Sequence, residues 1–321
     1  MLDVVTLGEM LVQFNSVTTG PLRHVVYFEK HAAGAEANFA IGMVRLGFKA
    51  GFITRLGNDE FGKYILSVLR GEGVDTSRVK VDDEAPTGIY FIQRGYPVPE
   101  RSSVVYYRRG SAASKLSPED IDEDYIKGSR LLHLTGITPA LSDSCMEATL
   151  KALRIAVENK VMVSFDTNVR MKLWLKAEKA REALLPMIEK ADVVLTEPED
   201  AEILIGEREP RKIIDKILAL GPKIVVVKLG AEGAMASNGK EVAVKPGFRV
   251  PVVDVIGAGD AFAAGFMASI LKGRSLEDAL LFGNAAGALV VTVRGDIENL
   301  PSWEDIERFL AFQRREHVMF R

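Results

Sequence analysis

The sequence predicts an α/β fold, a mostly parallel sheet with helices on both faces and a small extra β-sheet. Short β-branched runs alternate with longer amphipathic segments, and the runs are apolar almost throughout rather than at every second position. That combination indicates a parallel sheet buried on both sides. Residues 10–30 and 87–109 break the rhythm, with polar residues alternating with apolar or aromatic ones. Half-buried antiparallel strands have that texture.

The expected core strands are Val4–Leu7, Val161–Phe165, Val193–Leu195 and Ile224–Val227. Expected helices include Glu147–Glu158, Ala177–Glu189 and Arg211–Ala219. The longest apolar stretch, Ala279–Val293, contains Asn284 and is too short to span a bilayer, so it reads as a buried helix. Ile306, Phe309 and Leu310 give Trp303–Arg315 the spacing of a closing helix. No repeat or long linker interrupts the chain, which predicts one domain over residues 1–321. The 10–30 and 87–109 segments would form one sheet projecting from it, either a lid over a site or a plain extension.

Lys plus Arg total 41 and Asp plus Glu 44, a formal net charge of −3. No basic excess is present to neutralise a phosphate backbone, which argues against a nucleic-acid partner. Cys145 is the only cysteine, so no disulfide framework exists and a reducing compartment is expected. The opening MLDVVTLGEM lacks a basic start and an apolar run. A cytoplasmic protein without a membrane partner is the expectation.

Asp254-Val-Ile-Gly-Ala-Gly-Asp260 carries the strongest chemical signal. Val250–Val253 before it reads as a strand and the segment after it as a helix, placing Gly257, Ala258 and Gly259 at a strand-to-helix turn. Amides there can converge without Cβ obstruction, and amides at a helix N-terminus bind anions. Asp260 would lie in the first turn, ionised, able to take a proton from a hydroxyl attacking phosphorus. A capping aspartate beside a simple turn has the same pattern. No Gly-Lys-Ser/Thr tripeptide occurs, which excludes a Walker A loop. Phe262 stands where a dinucleotide fingerprint needs glycine.

GAGDAFAAGF with the preceding Asp254 resembles the signature of the ribokinase-like (phosphofructokinase-B) carbohydrate kinases. Ala33-Gly-Ala-Glu-Ala-Asn38, Gly57-Asn-Asp59-Glu-Phe-Gly62 and Lys228-Leu-Gly230-Ala-Glu-Gly233 match further family segments in family order. The resemblance implies that Asp260 is the catalytic base and that Gly257–Gly259 steady the transferring phosphoryl group. It implies an ATP pocket at Lys228, Gly230, Gly233 and Asn284, and a homo-oligomer. Gly230 and Gly233 also suit an ordinary turn, and Asn284 a polar helix position. Two departures stand out. Val255 replaces the usual Thr, and Glu197-Pro-Glu-Asp200 replaces an Asn-x-x-Glu segment linked to Mg²⁺. Glu197 and Asp200 can serve magnesium through bound waters or simply favour a helix N-terminus.

For the sugar, Gly34 and Asn38 open a helix that should run to Leu46 and end at Gly47 in a left-handed cap. In Tyr106-Tyr-Arg108-Arg, strand geometry puts Tyr106 and Arg108 on one face, with Tyr90 on a neighbouring strand. Arg170 follows an apolar strand, where ligand-lining loops occur in parallel sheets. Two arginines at one small pocket suggest an acidic sugar, because guanidinium pairs well with carboxylate. Arg108 as a solvated edge-strand charge is the alternative.

AGAEAN, YYRRGSAASKLSPED and DTNVRMKLW are similar to the 2-keto-3-deoxygluconate kinase branch of the family. That branch implies substrate contact by Gly34, Asn38, Tyr90, Tyr106, Arg108, Arg170 and Asp260. It also implies ATP–Mg²⁺-dependent transfer to the terminal C6 hydroxyl. A neutral-sugar or nucleoside kinase of the fructokinase or ribokinase type is the alternative.

Overall fold

A computed structural model describes residues 1–99 and 102–314. Glu100 and Arg101 of the expected lid segment, and Arg315 of the expected last helix, lie outside the described residues.

The chain begins with β1 (Val4–Leu7), then β2 (Leu11–Ser16) and β3 (Phe28–Ala33). It continues through α1 (Ala35–Arg45), β4 (Ala50–Gly57), α2 (Glu60–Gly71) and β5 (Val79–Asp82). A second excursion follows, β6 (Ile89–Arg94) and β7 (Ser102–Tyr107). Next come α3 (Glu123–Lys127), β8 (Leu131–Thr135), α4 (Asp143–Glu158) and β9 (Met162–Asp166). After α5 (Met171–Trp174) and α6 (Ala177–Lys190) the chain enters β10 (Val193–Thr196), α7 (Pro198–Ile205) and α8 (Pro210–Leu218). It closes with β11 (Ile224–Lys228), β12 (Ala234–Ser237), β13 (Val242–Lys245), α9 (Ala258–Leu271), α10 (Leu276–Val290) and α11 (Trp303–Arg314).

The large sheet has the order β13-β12-β11-β10-β9-β8-β1-β4-β5, parallel throughout except for the pairings of β12 with β11 and β13. Alternate residues of its strands enter two separate cores. Val4, Leu131, Val193 and Val226 pack under α1, α9 and α10. Val5, Leu132, Val194 and Val225 pack on the other face with α4, α6 and α8. Burial on both faces explains why these strands are continuously apolar: each fully buried Val or Leu contributes about 1.5–3 kcal/mol. The apolar stretch around Asn284 is α10, packed on α9 through Gly265, where a Cβ would press on the Phe282 backbone. Gly47 closes the α1 end at φ +85°, the left-handed value expected of it.

The two irregular segments form one small sheet in the order β3-β2-β6-β7. β2 pairs with β6 in parallel rather than antiparallel. Both strands leave the core in the same direction, and everything from α1 to β5 serves as the crossover that a parallel pair requires. The inner face presents Gln13, Asn15, Tyr90 and Tyr106, while Phe14, Phe28 and Phe91 cluster on the outer one.

Val250–Val253 is not a strand. Pro251 lacks an N–H to pair, and Val252 and Val253 are largely exposed. The segment crosses the surface as an extended connection, with the Val253 N–H donating to the Val291 carbonyl (2.8 Å). No helix among the described residues is long and apolar enough to cross a membrane.

Candidate active site

Parallel strands bring their carboxyl ends to one edge of a sheet, where open α/β sheets bind ligands. Three successive strands deliver charge to that edge. Asp166 closes β9, Glu197 follows β10, and Lys228 closes β11. Lys228 Nζ lies 2.7 Å from Asp166 Oδ2 and 3.5 Å from Glu197 Oε1. Burial works against the ammonium, but the two carboxylates outweigh it and hold the Lys228 pKa above its ordinary value. Burial pushes the Asp166 carboxyl up against the pull of Lys228.

The N-terminus of α9 faces this pair. Gly257 is its N-cap at φ +81°, a left-handed conformation that favours glycine, and a Cβ there would press on the Asp296 backbone. The first helical bond runs from the Ala261 N–H to the Gly257 carbonyl (2.9 Å). Among the described residues the Gly259 and Asp260 amides ahead of it have no backbone acceptor, and the Ala258 N–H makes only a long 3.4 Å contact to the Val255 carbonyl. A Cβ on Gly259 would stand 3.4 Å from Lys228 Nζ, so the ammonium adjoins the free amides. Amides, a helix N-terminus and a lysine together make a strong anion site. Val255, where a hydroxyl is usual, is exposed and contributes none.

Asp260 is half-buried in the first turn of α9, and its Oδ2 accepts from Asn38 Nδ2 (2.8 Å). The expectation that it stays ionised is corrected. Burial, then the nearby charges of Asp166 and Asp296, raise its pKa to about 8, against the lowering influence of Asn38 and Lys228. If Asp260 is the base, kcat/KM for the acceptor should climb with pH up to about 8 and then level off. A profile already flat from pH 5 would contradict this.

Asn38 and Tyr90 lie on the small-sheet side of Asp260. The Gly34 N–H donates to Asn38 Oδ1 (3.2 Å), and a Cβ on Gly34 would collide with the Glu9 backbone, so this glycine permits close packing of α1 on the β1–β2 connection. Tyr90 is buried, its hydroxyl accepting from Gln13 Nε2 (2.5 Å), and its ring lies 5.3 Å from the half-exposed Tyr106 ring. Arg108 stacks over Tyr106 at 5.2 Å but is not a free cation. Its Nε donates to Glu9 Oε2 (2.6 Å), and Ser111 Oγ donates to the other oxygen of the same buried carboxylate (2.5 Å). Arg170, just before α5, is exposed, and its side chain has no hydrogen bond or ion pair among the described residues. Its neighbour Lys172 donates to the Val104 carbonyl of β7 (3.4 Å), which sets the Arg170 segment against the small sheet.

A cavity of about 1050 Å³ opens on the other side of the anion site, lined by Glu197, Lys228, Gly230, Gly233, Gly259 and Asn284. It is large enough for a nucleotide. Gly230 (φ +58°) and Gly233 (φ +106°) shape the turn after β11. Asn284 Nδ2 donates to the Lys245 and Pro246 carbonyls (3.0 and 3.1 Å) and so also ties α10 to the end of β13. Asp200 takes no part in the cavity. It accepts from Thr167 Oγ1 (2.7 Å) and the Val169 N–H (3.0 Å), bracing the loop before Arg170.

Two residues of this constellation were not among the candidate site residues read from the sequence. Asp296 accepts from Asn38 and from Gln13 (3.2 and 2.8 Å), and Asp166 pairs with Lys228. Asp166 had a signal, a carboxylate ending a buried apolar strand; Asp296 had none.

A 2-dehydro-3-deoxygluconokinase of Thermoproteus tenax is 48% identical to this chain, the match covering 97% of the chain and 94% of the relative. The crystal structure of 2-dehydro-3-deoxygluconokinase from Thermotoga maritima superposes with a TM-score of 0.90 at 30% identity, over 97% of this chain and 100% of that one. A candidate ribokinase II from E. coli, in complex with ATP and Mg²⁺, superposes with a TM-score of 0.91 at 30% identity, over 97% and 100%. The description "pfkB family carbohydrate kinase" matches residues 1–303. With so complete a match, over a chain whose charged strand ends meet a glycine-capped helix, the protein belongs to the pfkB family of carbohydrate kinases.

Proposed function

We propose that this kinase transfers the γ-phosphoryl group of ATP to the C6 hydroxyl of 2-dehydro-3-deoxygluconate (2-keto-3-deoxygluconate), giving the 6-phosphate. The observation that carries this reading is the 2.8 Å bond between Asn38 and Asp260 at the mouth of the α9 anion site. It supports the reading by holding a carboxyl of raised pKa between α1 and the free amides of α9. The relative at 48% identity bears the matching name.

In this reading ATP occupies the cavity beside Gly230, Gly233 and Asn284, its γ-phosphate on the Gly257–Gly259 turn next to Lys228. The sugar lies between Gly34, Asn38, Tyr90 and Tyr106 under the small sheet, which acts as a lid excluding water. The C6 hydroxyl loses its proton to Asp260 as its oxygen bonds phosphorus, and the bond to the β-phosphate oxygen breaks to release ADP. Amides and Lys228 offset charge on the transferring group.

Magnesium would arrive on the nucleotide phosphates. No group of three or more His, Cys, Asp or Glu suited to a metal exists among the described residues, which fits an ion that keeps most of its water. The half-exposed Glu197 carboxylate, which lines the cavity, would accept from that hydration shell. Bound Mg²⁺ would neutralise charge on the phosphates.

Since Glu9 already neutralises Arg108, Arg170 is the cation available to a sugar carboxylate, with Arg108 as an oriented donor. Arg170→Ala should raise KM for 2-dehydro-3-deoxygluconate about 10–100-fold, the scale of a lost charge-assisted bond. Its effect on any neutral sugar turned over should be small; equal losses on both would remove Arg170 from carboxylate recognition. A coupled ADP-release assay over keto-deoxy sugar acids, fructose, ribose and nucleosides tests the assignment. The highest kcat/KM should fall on a keto-deoxy acid, and a preference for a neutral sugar would overturn it.

A further inference from the structure

Four contacts fasten the small sheet to two short segments that flank the anion site. Arg94 pairs with Asp254 (2.7 Å), Arg294 with Glu29 (2.9 Å), His31 with Glu298, and Gln13 Nε2 donates to Asp296 Oδ1 (2.8 Å). The fourth differs in kind. Gln13 is wholly inaccessible and Asp296 nearly so, and Asp296 also faces Asn38.

The Asn38 amide nitrogen has two protons, and two carboxylates receive them: Asp260 Oδ2 at 2.8 Å and Asp296 Oδ2 at 3.2 Å. Its carbonyl oxygen takes the Gly34 N–H, so the side chain cannot turn without giving up a bond. A continuous chain therefore runs from Tyr90 and Gln13 on the sheet, through Asp296 and Asn38, to Asp260.

We infer that Asp296 is a positioning residue for phosphoryl transfer: through the shared Asn38 amide it orients the Asp260 carboxyl, and through Gln13 it ties that orientation to the seating of the small sheet. The inference rests on the reading of Asp260 as the base. A carboxylate held one amide away raises the affinity of its partner for a proton, and the influence is mutual. The charged groups facing the pair from other elements are Asp166 on β9, Lys228 on β11, Asp254 with its Arg94, Glu298, and the Tyr90 phenol. Asp166, Asp254 and Glu298 reinforce the push and Lys228 opposes it. Asp296 is the carboxylate that shares a hydrogen-bond donor with Asp260.

Asp296→Asn keeps an oxygen to accept from Asn38 and removes the charge. The acid limb of the kcat/KM profile should then move down by about one pH unit, with kcat falling less than for Asp260→Asn. A role confined to packing would leave the limb in place, and an unmoved limb overturns the inference. Infrared titration of buried carboxyls in wild type and Asp260→Asn gives a second readout that needs neither activity nor the Asp296 variant. The Asp296 band should titrate at lower pH once Asp260 is neutralised, and an unchanged titration also overturns the inference. Near-normal turnover in Asp260→Asn would instead defeat the base assignment and leave this coupling readable.

Discussion

Asp260→Asn is expected to lower kcat by about 10²–10⁴-fold, the scale of a lost general base, while sugar and ATP affinities stay within a few-fold of wild type. Asparagine keeps an oxygen to accept from Asn38, so the α1–α9 contact at 2.8 Å survives. What disappears is the carboxyl that, in the proposed function, takes the hydroxyl proton. The same substitution should affect stability in a defined direction. Because the folded-state pKa is raised to about 8, Asp260 favours folding when protonated, and that contribution drains away as pH climbs from the ordinary carboxylate range to about 8. The variant has no such dependence. Its Tm relative to wild type should therefore improve between pH 5 and pH 8 and level off above. Thermal unfolding across that range checks the sign; a relative Tm that falls with pH would contradict the raised pKa.

Lys228→Met should damage both stability and turnover. Asp166 and Lys228 are almost fully buried and 2.7 Å apart. Removing the cation strands a carboxylate in the interior, a change that typically costs about 3–5 kcal/mol. Asp166 can escape part of that by taking a proton, so urea unfolding should show the loss growing as pH rises. Turnover should drop as well, because Lys228 Nζ borders Gly259, where the proposed function puts the transferring phosphate. Full activity in a folded Lys228→Met protein would detach this lysine from the phosphate. A loss independent of pH would show that Asp166 is not the group left uncompensated.

The parallel core was legible because burial on both faces forces unbroken apolar runs, and Val4–Leu7 is β1 to the residue. The Gly257–Asp260 turn was legible because a left-handed cap and a charged first turn each restrict residue type locally. Val250–Val253 misled for a related reason: β-branched residues suit any extended backbone, and only the missing partner distinguishes this exposed connection from a strand. The charge state of Asp260 was not legible. Sequence reveals the helix N-terminus that favours ionisation, but burial and the proximity of Asp166 and Asp296 arise only in the fold, and they prevail. Asp296 itself had no motif, since Asn38 and Gln13 reach it from more than 250 residues away. Arg108 lies just past the end of β7, over the Tyr106 ring with which it was grouped, but Glu9, its partner across 99 positions, was hidden.

The most direct test incubates the purified protein with ATP, Mg²⁺ and 2-dehydro-3-deoxygluconate and examines the product by phosphorus–proton correlation NMR. The new phosphorus resonance should couple to the terminal methylene protons of the sugar, with ADP formed in equal amount. A phosphate on any other carbon, or ADP appearing without a phosphorylated sugar, would contradict the account.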